Sequence, residues 1–233
     1  MTVEGVDVSR HQRPESCAWA QAAAGFAFVK ISEGRQDKSP YEDPAAASHL
    51  KRLRQSPTLH GGYHFARPDR RFAEDGDGYH NGALEAQWAA DVAIRLGVGL
   101  CPGTLPLALD LERYTERGKV TTEQRDDFVR GFVDVVEDEL GRPPIIYTGA
   151  GFWGWQHSPE LAVELHERGV LLWLVNYTRR PAPTKTIAGW PQSIWQWSGG
   201  GDYAHAGPWP GLPHPIDRNV FYGSFEQLRA LAR

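Results

Sequence analysis

The chain has 233 residues, 41% of them hydrophobic and 23% charged, a globular balance that excludes a disordered polymer. A net charge of −4 excludes the basic footprint of a nucleic-acid binder. No stretch approaches the roughly 18–20 apolar residues of a membrane span, and this length buries enough surface to fold without a metal or disulfide staple.

Short apolar runs alternate with amphipathic stretches along the chain. The runs fall at 3–9, 26–32, 59–65, 105–111, 144–148, 171–177, 193–197 and 216–222. Near-continuous apolar strands are expected where a parallel sheet is covered on both faces. Leu84, Trp88 and Val92 mark a helix before the fourth run, and Phe128, Phe132, Val135, Val136 and Leu140 mark one after it. Thr121 and Gln124 have capping-box spacing ahead of the second helix, and Gly141 and Pro143 end it. Ser224 and Gln227 open a closing helix, with Phe225, Leu228 and Leu231 expected on its inner side. The connections after the fifth to seventh runs are short or rich in Gly and Pro, as in 198–215. The pattern predicts an α/β fold, a (β/α)8-like barrel with an incomplete outer ring of helices, in one domain over 1–233.

The strongest chemical signal is Asp110-Leu111-Glu112, at the end of the fourth run. Positions i and i+2 of a strand share a face, so the two carboxylates point together. Close carboxylates repel, and one of them then holds a proton at a higher pH than usual. An acid beside an ionised partner is what glycosidic cleavage requires. Salt bridging and metal ligation are competing readings of such a pair. Asp7, near the end of the first run, and Asp217, in the last, would join them at one rim, where barrel active sites form. No phosphate-cradling glycine motif, zinc-binding His pair or serine-hydrolase elbow accompanies these acids.

Aromatic residues cluster at the same strand ends: Tyr63-His64-Phe65, Tyr147, Tyr177 and Trp195-Gln196-Trp197. Nine Trp against one Met is an unusual ratio, and rings of this kind stack on sugar faces. Alternation puts Trp195 and Trp197 on one face and Gln196 on the other, and core packing is as good a reading of Trp195 as ligand contact. His64 is as readily structural as catalytic, and Trp153 and Trp155 fit a rim or a barrel side equally. Cys17 and Cys101 permit one bridge without requiring it.

Taken in order, these segments resemble a known family. Gly5-Val6-Asp7-Val8-Ser9 with Gln12, Phe28-Val29-Lys30-Ile31-Ser32-Glu33-Gly34, Gly62-Tyr63-His64-Phe65 and Leu109-Asp110-Leu111-Glu112 are similar to glycoside hydrolase family 25, the Chalaropsis-type lysozymes. Tyr147-Thr148, Leu172-Trp173 with Tyr177, Trp195-Gln196-Trp197 and Asp217-Arg218-Asn219 continue the resemblance, which spans 3–222. It implies an N-acetylmuramidase that cuts the β-1,4 bond between N-acetylmuramic acid and N-acetylglucosamine in peptidoglycan. Glu112 would be the general acid/base, Asp110 would support the charge at the reaction centre, and Asp7 and Asp217 would complete an acidic floor. Glu33 would join Tyr63, His64, Phe65, Tyr147, Tyr177, Trp195 and Trp197 in binding the glycan.

The resemblance implies no cofactor and no metal. The expected partner is the peptidoglycan glycan strand, with no nucleic acid and no membrane, and the protein is expected to be a monomer. Val175 stands where the family usually has a smaller residue, and the 68–82 loop, with Asp69, Asp75 and Asp77, looks long. No secretory signal opens the chain, so action in the wall or outside the cell implies another export route or release on host lysis. A phage endolysin, a bacterial wall hydrolase and an antibacterial effector all suit that description. A non-catalytic glycan-binding barrel and a chitinase are the alternatives, although the chitinase D-x-x-D-x-D-x-E run is missing around Asp110.

Overall fold

Strand alternation decides what faces the inside of this molecule. The computed structural model describes residues 1–34, 40–68, 77–100, 102–112, 120–200, 203 and 205–233. Among these, the strands are β1 (Val3–Val8), β2 (Phe26–Glu33), β3 (Tyr41–Glu42), β4 (Leu59–Phe65), β5 (Ala108–Asp110), β6 (Ile145–Gly149), β7 (Leu171–Val175), β8 (Gln192–Ser198) and β9 (Asp217–Phe221). The helices are α1 (Trp19–Ala22), α2 (Ala46–Leu53), α3 (Gly78–Leu96), α4 (Thr122–Leu140), α5 (Ala150–Gln156), α6 (Pro159–Glu167) and α7 (Phe225–Ala230).

Eight strands pair in the order β1-β9-β8-β7-β6-β5-β4-β2, and β1 pairs with β2 to close the barrel. The short β3 adds to the end of β2. Alternate residues feed two cores. Phe26, Phe28, Ala108, Ile145, Trp173, Ile194 and Phe221 fill the barrel. Val6, Val8, Ala27, Val29, Ile31, Leu107, Leu109 and Leu172 pack under the helices, together with Phe128 and Phe132 of α4. Because Ala108 and Leu109 take opposite faces, Asp110 returns to the inside at the strand end.

The eighth run differs from its expected direction. It is β9, and it runs antiparallel to both β1 and β8. Antiparallel pairing reverses which end of the strand meets the rim, so the first residue of β9, Asp217, lies opposite Asp7, near the end of β1.

The capping boxes form at Thr121/Gln124 and Ser224/Gln227, and Gly141 ends α4 with a left-handed φ of 70°. Two expectations change, the connection after β6 and the inner side of α7. The connection after β6 holds two helices, α5 and α6, because Ser158 caps α6 through Leu161 N–H at 3.2 Å. After β7 and β8 no α-helix occurs among the described residues, so the ring is incomplete there, as the sequence predicts. Phe225 is exposed and lies under the Arg229 guanidinium, which leaves Leu228 as the buried residue of α7. Cys101, Asp69 and Asp75 lie outside the described residues. Cys17 is a buried free thiol 3.6 Å from the Arg13 carbonyl oxygen.

Helices α3 and α4 touch backbone to backbone. A Cβ on Gly82 would collide with the Phe128 carbonyl oxygen, and one on Gly131 with that of Tyr79. Rigid carbonyls cannot yield as a side-chain tip can. Gly82→Val is expected to destabilise the fold by about 3 kcal/mol or more, read by chemical denaturation.

Candidate active site

The rim where β1, β2 and β4–β8 end and β9 begins holds a cavity of about 550 Å³. Asp7, Asp110, Glu112 and Asp217 all line it, as do Glu33, Tyr63, Phe65, Tyr147 and Tyr177. The four acids come from chain positions up to 210 residues apart and meet because the barrel closes through β9.

Asp7 is the most elaborately held acid. Its Oδ2 accepts 2.8 Å hydrogen bonds from Gln196 Nε2 and Asn219 Nδ2. Asn219 cannot be turned the other way, because its Oδ1 accepts the Trp173 indole N–H at 2.8 Å, and an indole only donates. Gln196 is fixed in the same sense. Its Oε1 accepts both phenols, Tyr147 at 2.8 Å and Tyr177 at 2.9 Å.

Burial nevertheless pushes the Asp7 carboxyl above its ordinary value, against the pull of those donors and of Asp217. Asp217 is pushed up to about 8 by burial, by the charge of Asp7, by its hydrogen bond to Asp7 and by Glu112. Asp217 therefore holds its proton at neutral pH and donates it to Asp7. Asp110 is also held well above the ordinary carboxylate range, first by burial and then by the charges of Glu112 and Asp7, with Lys30 opposing. Its buried Oδ1 has no hydrogen-bond partner among the described residues. Glu112 stands exposed at the lip, two residues further along.

Glu33 has a different neighbourhood. Lys30 Nζ meets its Oε2 at 2.5 Å, and Arg67 Nε meets its Oε1 at 2.5 Å. Burial alone would raise this carboxyl, but the two cations outweigh burial and lower it. An irregularity between Lys30 and Ser32 lets Lys30 and Glu33, three residues apart, face the same cavity.

Three expected ligand-binding residues lie elsewhere. His64 is fully buried on the outer face of β4, between Ser32 Oγ at 2.8 Å and Glu85 at 3.2 Å. Trp195 is buried with its Nε1 bonded to the Asn176 carbonyl, and neither it nor Trp197 lines the cavity. Trp195 and Trp197 do share a face, but it is the outer one, since Ile194 fills the barrel and Gln196, two residues on, points inward with it. Trp153 is buried, stacked on His157, and Trp155 is exposed.

The structure adds Gln196, Asn219, Trp173 and Lys30. Their signal in the sequence is a polar residue inside an apolar run, as in Trp-Gln-Trp and Phe-Val-Lys-Ile. Among the described residues no group of three His, Cys, Asp or Glu is placed to hold a metal ion.

The raised acids set a pH dependence. A carboxyl whose pKa is higher folded than unfolded makes the native state bind more protons, so its contribution is full below the unfolded pKa and is lost as pH rises through the folded one. For Asp217 that window runs from its ordinary 3.8 to about 8. Thermal melts are expected to show stability falling across this range. Asp217→Asn, which keeps a donor for Asp7 and removes the titration, is expected to flatten the fall and to melt higher than the native protein at pH 8.

The comparisons agree with this geometry. The family model described as "Glycosyl hydrolases family 25" matches residues 6–205. The crystal structure of the bacterial lysozyme from Streptomyces coelicolor is 26% identical, with a TM-score of 0.78 over 99% of this chain and 96% of that one. A family GH25 lysozyme from Aspergillus fumigatus is 28% identical, with a TM-score of 0.75 over 100% and 99% of the two chains. Protein YegX of Escherichia coli K12 is 30% identical over 98% of this chain and 73% of its own. The chain belongs to glycosyl hydrolase family 25.

Proposed function

We propose that this protein is a lysozyme of the N-acetylmuramidase type, which hydrolyses the β-1,4 bond between N-acetylmuramic acid and N-acetylglucosamine in bacterial peptidoglycan. One observation carries the reading: the carboxylates of Asp7 on β1, Asp110 on β5, Glu112 two residues beyond β5 and Asp217 on β9 share one open cavity, and burial and mutual charge hold Asp110 and Asp217 above the ordinary carboxylate range. Family membership and lysozyme relatives support the same substrate. The whole of 1–233 is read as one catalytic barrel, a monomer that needs no cofactor and acts on the wall.

In this reading Asp110 and Glu112 share one proton, because each charge opposes ionisation of the other. Glu112, at the lip, reaches the leaving oxygen and delivers the proton as the bond breaks. It then takes a proton from the water that completes hydrolysis. Asp110, deeper and with an oxygen left unbonded, faces the positive charge that develops on the sugar, as nucleophile or by orienting the 2-acetamido group. Asp7 stays ionised under its amide donors and, with Asp217, forms the acidic floor that favours the same positive charge. Tyr63, Phe65, Tyr147 and Tyr177 supply ring faces and hydroxyl oxygens to the glycan, and Glu33 holds the opposite wall with Lys30 and Arg67.

Glu112→Gln is expected to lower reducing-end release from cell walls by at least about a thousandfold while leaving the melting temperature within a few degrees. Near-native lysis by that variant overturns the assignment. Mass spectrometry of native digests is expected to show N-acetylmuramic acid at the reducing ends. N-acetylglucosamine there would make the protein a glucosaminidase, and an anhydro end a transglycosylase.

A further inference from the structure

The chemistry around the cavity is sorted by strand. Acids stand on β9, on β1 and at β5, while the phenols and Gln196 occupy the arc from β6 to β8. The remaining arc between β1 and β5 carries three cations, Arg10 after β1, Lys30 on β2 and Arg67 after β4, with two carboxylates among them, Glu33 on β2 and Asp43 after β3. Lys30 and Arg67 are engaged with Glu33, and Arg10 is not.

Arg10 is anchored through its backbone. Its N–H donates to Asp43 Oδ2 at 3.1 Å, and Asp43 Oδ1 accepts the Ala45 N–H at 2.9 Å, so main-chain donors satisfy that buried carboxylate. The Arg10 guanidinium lies 5.6 Å from the centre of the Tyr41 ring. The same residue forms a wall of a second depression of about 350 Å³, next to the first and lined also by Pro14, Glu15, Ser48 and Arg52. Arg52 closes it from the last turn of α2. Arg10 is therefore shared by the wall of the acid-lined cavity and the wall that also holds Arg52, and among the described residues Glu15 is the one carboxylate on the outer depression.

We propose that this outer depression is a subsite for the acidic stem peptide of the substrate, with Arg10 and Arg52 pairing with its carboxylates. The inference rests on the muramidase reading above. The muramic sugar carries its peptide on a lactyl ether, so the peptide departs close to the bond being cut and brings several carboxylates with it. The four acids repel those carboxylates, and the phenol arc offers them no cation among the described residues that line the cavity. Among the described residues, the Arg10 arc joins the cavity to a depression walled by a second arginine, and guanidinium groups suit carboxylates because they donate in pairs. Both arginines are exposed, so each pairing is modest and screened by salt.

The test compares two substrates: glycan strands with their stem peptides, and the same strands stripped by an amidase. Reducing-end assays give kcat and KM on each. Arg52→Glu is expected to raise KM on the peptide-bearing strands by about fivefold to tenfold, and so to lower the ratio of kcat/KM on peptide-bearing to stripped strands by the same factor. The wild-type preference for peptide-bearing strands is expected to shrink in 0.5 M salt. Arg52→Gln, which keeps length and drops charge, should move the ratio in the same direction by less. A ratio unchanged in both variants, or a wild type that cuts both strands equally well, overturns the subsite. A wild type inert toward both strands overturns the muramidase reading itself.

Discussion

A negative charge buried at the open end of the barrel is the constraint on which the rest of the site depends. An ionised Asp7 in this position is costly unless donors surround it. The fold supplies them in a fixed direction: indole to Asn219, Asn219 to Asp7, phenols to Gln196, Gln196 to Asp7. The indole branch begins at a group that only donates, and both branches end at Asp7 Oδ2, which accepts from the two amide NH2 groups, so each amide has one orientation. Asp217 completes the shell with a proton of its own. The network also ties five strands, β1, β6, β7, β8 and β9, to one register at the rim.

This arrangement works against stability and in favour of charge. Three acids that keep protons above their ordinary range, in one cavity with Glu112, are a cost the native state carries at neutral pH. The cationic arc limits that cost on one side, since Lys30 acts against the rise at Asp110. What remains is a cavity biased toward positive charge near Asp110 and toward negative charge near Arg10. A glycan substituted with acidic peptides has both requirements: the sugar at the reaction centre becomes cationic as its bond breaks, while the peptide beside it stays anionic.

The β9 reversal gives the site its form. Eight parallel strands would put the start of the last strand at the opposite end of the barrel from the acids. Running β9 antiparallel brings Asp217 and Asn219 to the rim from the beginning of a strand, with β1 on one side and β8 on the other. It also removes the need for a helical crossover after β8, which accords with the absence of an α-helix from the described part of 199–216.

The amino-acid sequence by itself determined the alternation of strands and helices, the caps of α4 and α7, and the shared face of Asp110 and Glu112, because periodicity and capping are local properties. The family was legible for the same reason: short motifs at strand ends keep their order whatever the packing between them. Tertiary structure alone decided which face is inside. Trp195 and Gln196 alternate in either case, and only the packing of Ile194 in the barrel sends Gln196 to Asp7 and Trp195 outward. His64 likewise went to the helix side, where Glu85 awaited it. The direction of β9, the irregularity that turns Lys30 and Glu33 to one cavity, and the proton shared by Asp7 and Asp217 are products of pairings between residues remote in the chain, and a local pattern holds no record of them.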